Sequence, residues 1–156
     1  MITVTDIMTT DLITVTPNTD VAKVAQILLD NHINGAPVVD NDNNDRVVGI
    51  ICQSDLIAQQ KKLPIPTFFT FLESVIQVTS MKEIDKQVSK IAALTVSQAM
   101  SPNPVTVEPD TDLETVASLM VDNNFHTLPV IKNDRLVGVV GKEDVLRTLI
   151  SSSTNQ

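Results

Sequence analysis

Short apolar runs, each closed by polar turn residues, alternate with longer amphipathic stretches along this chain, and the whole series occurs twice. Leu12-Ile13-Thr14-Val15 reads as a short strand ended by the turn chemistry of Thr16-Pro17-Asn18-Thr19. Val21, Val24, Ala25 and Leu28 then recur at helical spacing and define one apolar face, with Thr19 or Asp20 placed to cap it. That helix should stop near Asn31, Asn34 and Gly35. Ala36-Pro37-Val38-Val39 and Val47-Val48-Gly49-Ile50-Ile51 are the strands of a hairpin whose loop is the polar stretch 40–45, and a helix begins at Gln53. The second half repeats the order, with a strand at 104–107, a helix at 113–123, strands at 128–131 and 136–140, and a helix from Lys142. Each half therefore reads β-α-β-β-α, an α/β (α+β) architecture.

The residues repeat as well as the pattern. With an offset of 92, Met8 falls on Met100, Thr14-Val15-Thr16-Pro17 on Thr106-Val107-Glu108-Pro109, and Pro37-Val38-Val39 on Pro129-Val130-Ile131. After a three-residue excess in the first copy, Arg46-Val47-Val48-Gly49 falls on Arg135-Leu136-Val137-Gly138, and Asp55 on Asp144. A duplicated unit of this kind packs its two apolar faces on each other pseudosymmetrically and creates two quasi-equivalent clefts. The expected organisation is a first repeat over 1–60, a helical insert over 61–95, a second repeat over 96–150 and a disordered tail over 151–156. Pro64 and Pro66 break the chain before the insert. Phe68, Phe69, Phe71, Leu72, Val75 and Ile76 then make a strongly apolar helix, and Met81, Ile84, Val88 and Ile91 line a more polar second one. The insert is either a cap over the core or a surface for self-association.

Composition narrows the function classes. A net charge of −8 argues against a nucleic-acid or anionic-membrane surface, and 3% aromatic content without Trp or Tyr argues against a base-stacking platform. No apolar run approaches the length of a membrane span, and the first residues lack a basic, then apolar, secretory signal. Cys52 is the sole cysteine, which rules out an internal disulfide and fits a reducing cytoplasm. With two His and one Cys no Cys/His metal site is supported, and no phosphate loop, nucleophile elbow or zinc-protease motif occurs, so an enzyme is not expected.

The paired segments resemble tandem cystathionine-β-synthase (CBS) domains, two of which form a Bateman module. Asp6-Ile7-Met8, Gly35-Ala36-Pro37-Val38-Val39 and Val48-Gly49-Ile50-Ile51-Cys52-Gln53-Ser54-Asp55 carry the resemblance in the first copy. Ala99-Met100-Ser101, Leu128-Pro129-Val130-Ile131 and Val137-Gly138-Val139-Val140-Gly141-Lys142-Glu143-Asp144 carry it in the second. The resemblance implies a regulatory module that binds AMP, ADP, ATP or S-adenosylmethionine, modulates a partner protein, and forms a disc-like homodimer; it implies no resident cofactor. It also implies composite clefts. The first would combine Asp144, Gly141 and Lys142 with Met8, Ile13, Asn34 and Gly35; the second Asp55 and Cys52 with Met100, Val105, His126 and Thr127.

In each cleft the Asp is implied to accept the ribose hydroxyls, as an acceptor-only carboxylate can. The competing reading is a first-turn acid favoured by the helix dipole. The hydroxyl position three residues earlier is Cys52 in one copy and Gly141 in the other, so a reciprocal capping box cannot form and removal of Asp144 is expected to leave the fold intact. Phosphates would meet the amides at these helix starts, with Lys142 adding charge and His126 either a phosphate ligand or an ordinary surface residue. The lost hydroxyls leave open a second function, a ligand-free scaffolding module that assembles through its insert.

Overall fold

The computed structural model describes residues 1–40, 42, 46–61 and 94–154, with the side chains of 60–61 and 151–154 excepted. The insert expected over 61–95 falls almost wholly outside the described residues, and so does most of the first hairpin loop. In chain order the elements are α1 (Val4–Ile7), α2 (Val21–Asp30), β1 (Gly35–Val39), β2 (Val47–Cys52), α3 (Gln53–Lys61), α4 (Val96–Ala99), β3 (Ser101–Pro102), α5 (Leu113–Asn123), β4 (Thr127–Lys132), β5 (Arg135–Gly141) and α6 (Lys142–Thr154). Helix α6 thus runs on into the segment expected to be a disordered tail.

The two hairpins obey the repeat. β1 pairs antiparallel with β2 and β4 with β5, and the register shifts at Val38/Val39 in one and at the matching Val130/Ile131 in the other. In the second hairpin Asn133 and Asp134 both take positive φ (53° and 64°), the mirror-image two-residue turn whose twist suits a hairpin. The strands expected at 12–15 and 104–107 shrink to single parallel bridges, Val15 with Val38 and Val107 with Val130. Proline explains both. Val15 N–H donates to the Pro37 carbonyl and its own carbonyl accepts from Val39, but the next ladder bonds would need an N–H from Pro37 on one side and Pro17 on the other. Pro129 and Pro109 stop the Val107 ladder identically.

The short helices α1 and α4 were not expected from the hydropathy pattern. Each starts at a capping box: the Asp6 carboxylate accepts the Thr3 N–H at 2.9 Å, and Gln98 Oε1 accepts that of Thr95 at 2.9 Å. Each also packs on the opposite repeat. Val96 and Ala99 of α4 are buried with Val15, Val21, Val24, Leu28, Ala36, Val38 and Ile51, whereas Val4 of α1 is buried with Val107, Val116, Met120, Leu128, Val130 and Val140. Backbone bonds fix the exchange: Val4 N–H to the Thr111 carbonyl and Val96 N–H to that of Thr19, both 2.8 Å. Two cores result, each closed by the other half's leading helix.

Candidate functional site

This exchange brings the helix start after each hairpin against the loops of the other half. The first cleft encloses about 330 Å³. The second half contributes Gly141, Lys142 and Asp144, where β5 passes into α6; the first half contributes Ile13, Asn34 and Gly35. Thr9, Asp11, His32, Pro37, Val139, Glu143 and Arg147 also line it, none of which the sequence assigns to a cleft. The spacing of Arg147, one helical turn beyond Asp144, was the signal available for it. His32 follows the end of α2 at φ 54°, the same left-handed position that Asn124 holds after α5 at φ 57°.

Asp144 is buried at 8% exposure and both of its oxygens are engaged. Oδ2 accepts the Gly141 N–H at 2.8 Å, and Oδ1 accepts Arg147 Nη1 at 2.7 Å. Half of a capping box therefore exists without the missing hydroxyl, because the acid reaches back whether or not the residue at 141 reaches forward. This corrects the expectation that the fold does not depend on Asp144. A buried acceptor serving a backbone N–H and a guanidinium is a structural group, and its removal leaves the Gly141 N–H without its partner. Each oxygen retains a lone-pair site for a hydroxyl donor.

The second cleft, of about 400 Å³, brings Cys52 and Asp55 together with Val105, His126 and Thr127. Thr127 lies on the wall between the clefts and lines both. Asp55 Oδ2 accepts the Cys52 N–H at 2.8 Å, repeating the Gly141 contact, but Ala58 stands where the first cleft has Arg147. Burial raises the Asp55 carboxyl above its usual 3.8, and the Cys52 N–H offsets part of that. Burial first, then the Asp55 charge, pushes the Cys52 thiol from 9.0 to about 11, so it is protonated at neutral pH and is no nucleophile.

Two expectations are revised. Met8 and Met100 line neither cleft; a methyl at Gly138 would meet Met8 Sδ at 2.7 Å and one at Gly49 would meet Met100 Sδ at 2.5 Å, so each thioether fills the space left by a glycine of the other half. The amides expected to hold phosphate are also partly taken. Gly141 N–H goes to Asp144, and Lys142 N–H goes to the His126 carbonyl at 3.0 Å; in the other copy Gln53 N–H goes to the Asn34 carbonyl at 2.8 Å. An anion entering the first cleft would therefore meet side chains more than free amides. Among the described residues no cluster of His, Cys, Asp and Glu is placed to hold a metal ion, and no helix is long and apolar enough to cross a membrane.

Comparison with known proteins agrees with this architecture. The family model described as CBS domain matches residues 4–62 and 96–151. The chain belongs to the CBS-domain family and carries the domain twice, as a Bateman module. Chloroplastic CBSX2 of Arabidopsis thaliana is 31% identical over 153 residues, covering 95% of this chain and 63% of that protein. Protein MJ1426 of Methanocaldococcus jannaschii is 28% identical over 153 residues, covering 93% of this chain and 89% of its own. The chain spans 60–63% of the length of the two Arabidopsis relatives. Among solved structures, CBSX2 in complex with AMP superposes with a TM-score of 0.72 at 28% identity, covering 97% of this chain and 98% of that one. The CBS pair of MJ0100 in complex with 5′-methylthioadenosine and S-adenosylmethionine superposes at 0.67 and 26% identity, covering 95% and 99%.

Proposed function

We propose that the chain is a regulatory module that binds an adenosine-containing ligand (AMP, ADP, ATP or S-adenosylmethionine) between its two repeats and modulates a partner protein. The observation that carries this reading is Asp144, a buried carboxylate on the wall of a cleft to which both repeats contribute. The cavity is at the lower end of the range for small-ligand sites. In this reading Asp144 accepts the ribose hydroxyls, Ile13 and Gly35 flank the adenine, and Asn34, Gly141 and Lys142 face the phosphate side. Asp55, Cys52, Val105, His126 and Thr127 form the second, weaker site. The complexes of CBSX2 with AMP and of MJ0100 with two adenosine compounds support the ligand class. Binding regulates only if the ligand favours one arrangement of the repeats over another, and a composite cleft supplies that difference.

The module acts as a homodimer in a reducing compartment such as the cytoplasm. Leu146, Leu149 and Ile150 form an exposed apolar stripe on α6 that a second copy would cover. Sedimentation of a monomer at micromolar concentration, unchanged by ligand, would remove the dimer.

The scaffolding alternative has one observation in its favour: the hydroxyl position is Cys52 in one copy and Gly141 in the other. Calorimetry and thermal melts across the four adenosine compounds separate the two. A ligand at a hundredfold excess over its dissociation constant stabilises the native chain by about 2.7 kcal/mol. Asp144→Ala lowers affinity at least tenfold, through loss of a charge-assisted contact of roughly 1.5–3 kcal/mol. It also destabilises the free protein by about 1–3 kcal/mol, because a buried N–H loses its acceptor. A flat response of the wild-type chain to all four compounds would establish the scaffold.

A further inference from the structure

The two clefts are built from equivalent elements, yet their charged groups differ. Arg147 and Lys142 in the first stand against Asp11, Glu143 and Asp144, with His32 neutral in the formal count. In the second, among the described residues, Asp55 is the one lining carboxylate and His126 the one lining basic side chain, and Ala58 occupies the position of Arg147. The Arg147 side chain is 67% exposed while the Asp144 side chain it holds is 9% exposed. Among the described residues its guanidinium makes one hydrogen bond, through Nη1, so the other nitrogens of the fork remain for a second acceptor.

We infer that Arg147 sets the ligand preference of the Asp144 cleft: it holds the carboxylate for the ribose and turns the rest of its fork to a phosphate, while the Asp55 cleft, with Ala58, prefers an uncharged adenosine compound. This rests on the adenosine-binding reading above. A planar fork can serve a carboxylate and a phosphate at once, which a point charge does less well. Among the described residues, without Arg147 one lysine faces three carboxylates, and that balance repels an anion entering the cleft. With two of the helix-start amides already engaged, the Arg147 guanidinium and the Lys142 ammonium are the charged donors among the described lining residues.

The test is calorimetric titration of the full chain with AMP and with adenosine, for the wild type, Arg147→Ala, Arg147→Lys and Ala58→Arg, with melts of each free protein. Arg147→Ala should weaken AMP about tenfold or more and adenosine less than about threefold. Arg147→Lys should recover part of the AMP affinity, and Ala58→Arg should strengthen AMP at the second site. Equal loss of AMP and adenosine in Arg147→Ala would show that Arg147 only positions Asp144 and would overturn the inference. Unchanged affinity for both would overturn it too, with the adenosine reading intact. A wild-type chain that binds neither compound would overturn reading and inference together.

Discussion

A methyl group at Gly35 would lie 2.8 Å from Cys52 Sγ and 3.1 Å from the Ile51 carbonyl oxygen, whereas one at Gly141 would find nothing closer than Asp144 Oδ2 at 3.7 Å. Gly35 pairs with Cys52 across the first hairpin and Thr127 with Gly141 across the second, so each pair has one glycine, on opposite strands. No glycine in the chain has positive φ; Gly35 needs room, not an unusual backbone. The second copy carries its hydroxyl residue, Thr127, on the strand facing Gly141. Gly35→Ala should therefore destabilise by about 1–3 kcal/mol through overpacking, with part of the loss recovered in the double variant with Cys52→Ala. Gly141→Ala should change stability by less than about 0.5 kcal/mol. Urea unfolding of the four proteins checks this, and equal effects at Gly35 and Gly141 would sink it. The resemblance to paired CBS domains, carried by the repeat, grouped Asp55, Asp144 and most of their neighbours into two clefts. It misplaced Met8 and Met100 because an apolar residue at a cleft and one filling a glycine's space look alike in sequence.

At the scale of elements, the hairpins and long helices were legible because their periodicity is set by one buried face, as in α5, which begins and ends where its apolar spacing does. The first strands were overread because a short, largely apolar run suggests a ladder, and the prolines that stop it lie partly on the partner strand. Helices α1 and α4 were missed because four residues show no period, although Thr3-x-x-Asp6 and Thr95-x-x-Gln98 carried the capping signature. The long helices start differently. Asp112 caps α5 by accepting the Thr115 N–H at 2.8 Å; Asp20 makes no such bond at α2, whose Val21 N–H goes to the Leu94 carbonyl just ahead of the second repeat. The Thr115 hydroxyl and N–H together hold the Asp112 carboxyl below 3.8. A carboxyl lowered by folding stabilises above its unfolded value and loses that contribution as pH falls through the folded one. Asp112→Ala should thus melt below the wild type near neutral pH, and the gap should close as pH drops beneath 3.8. A gap independent of pH would mean that the ionised cap is not what the helix start uses.

For the molecule as a whole, the exchanged leading helices decide what counts as a unit. Val96 and Val4 are fully buried, each in the other half's core, and a buried valine contributes roughly 1.5–3 kcal/mol. A fragment of residues 1–61 lacks Val96 and Ala99, and one of 94–156 lacks Val4. Neither should show a cooperative melt by circular dichroism alone, whereas an equimolar mixture should. Cooperative melting of 1–61 by itself would refute the exchange as a stability requirement. The same arrangement imposes an order in time on a chain emerging from the ribosome. The first core has all its strands once Cys52 is made, yet it stays open until Ala99 follows, a wait of seconds at synthesis rates of about 5–20 residues per second. Of these elements helix α1 waits longest, since its seat forms only when Val140 arrives. The nascent chain therefore holds apolar surface open across the making of the insert, and both clefts wait for residues of the second repeat.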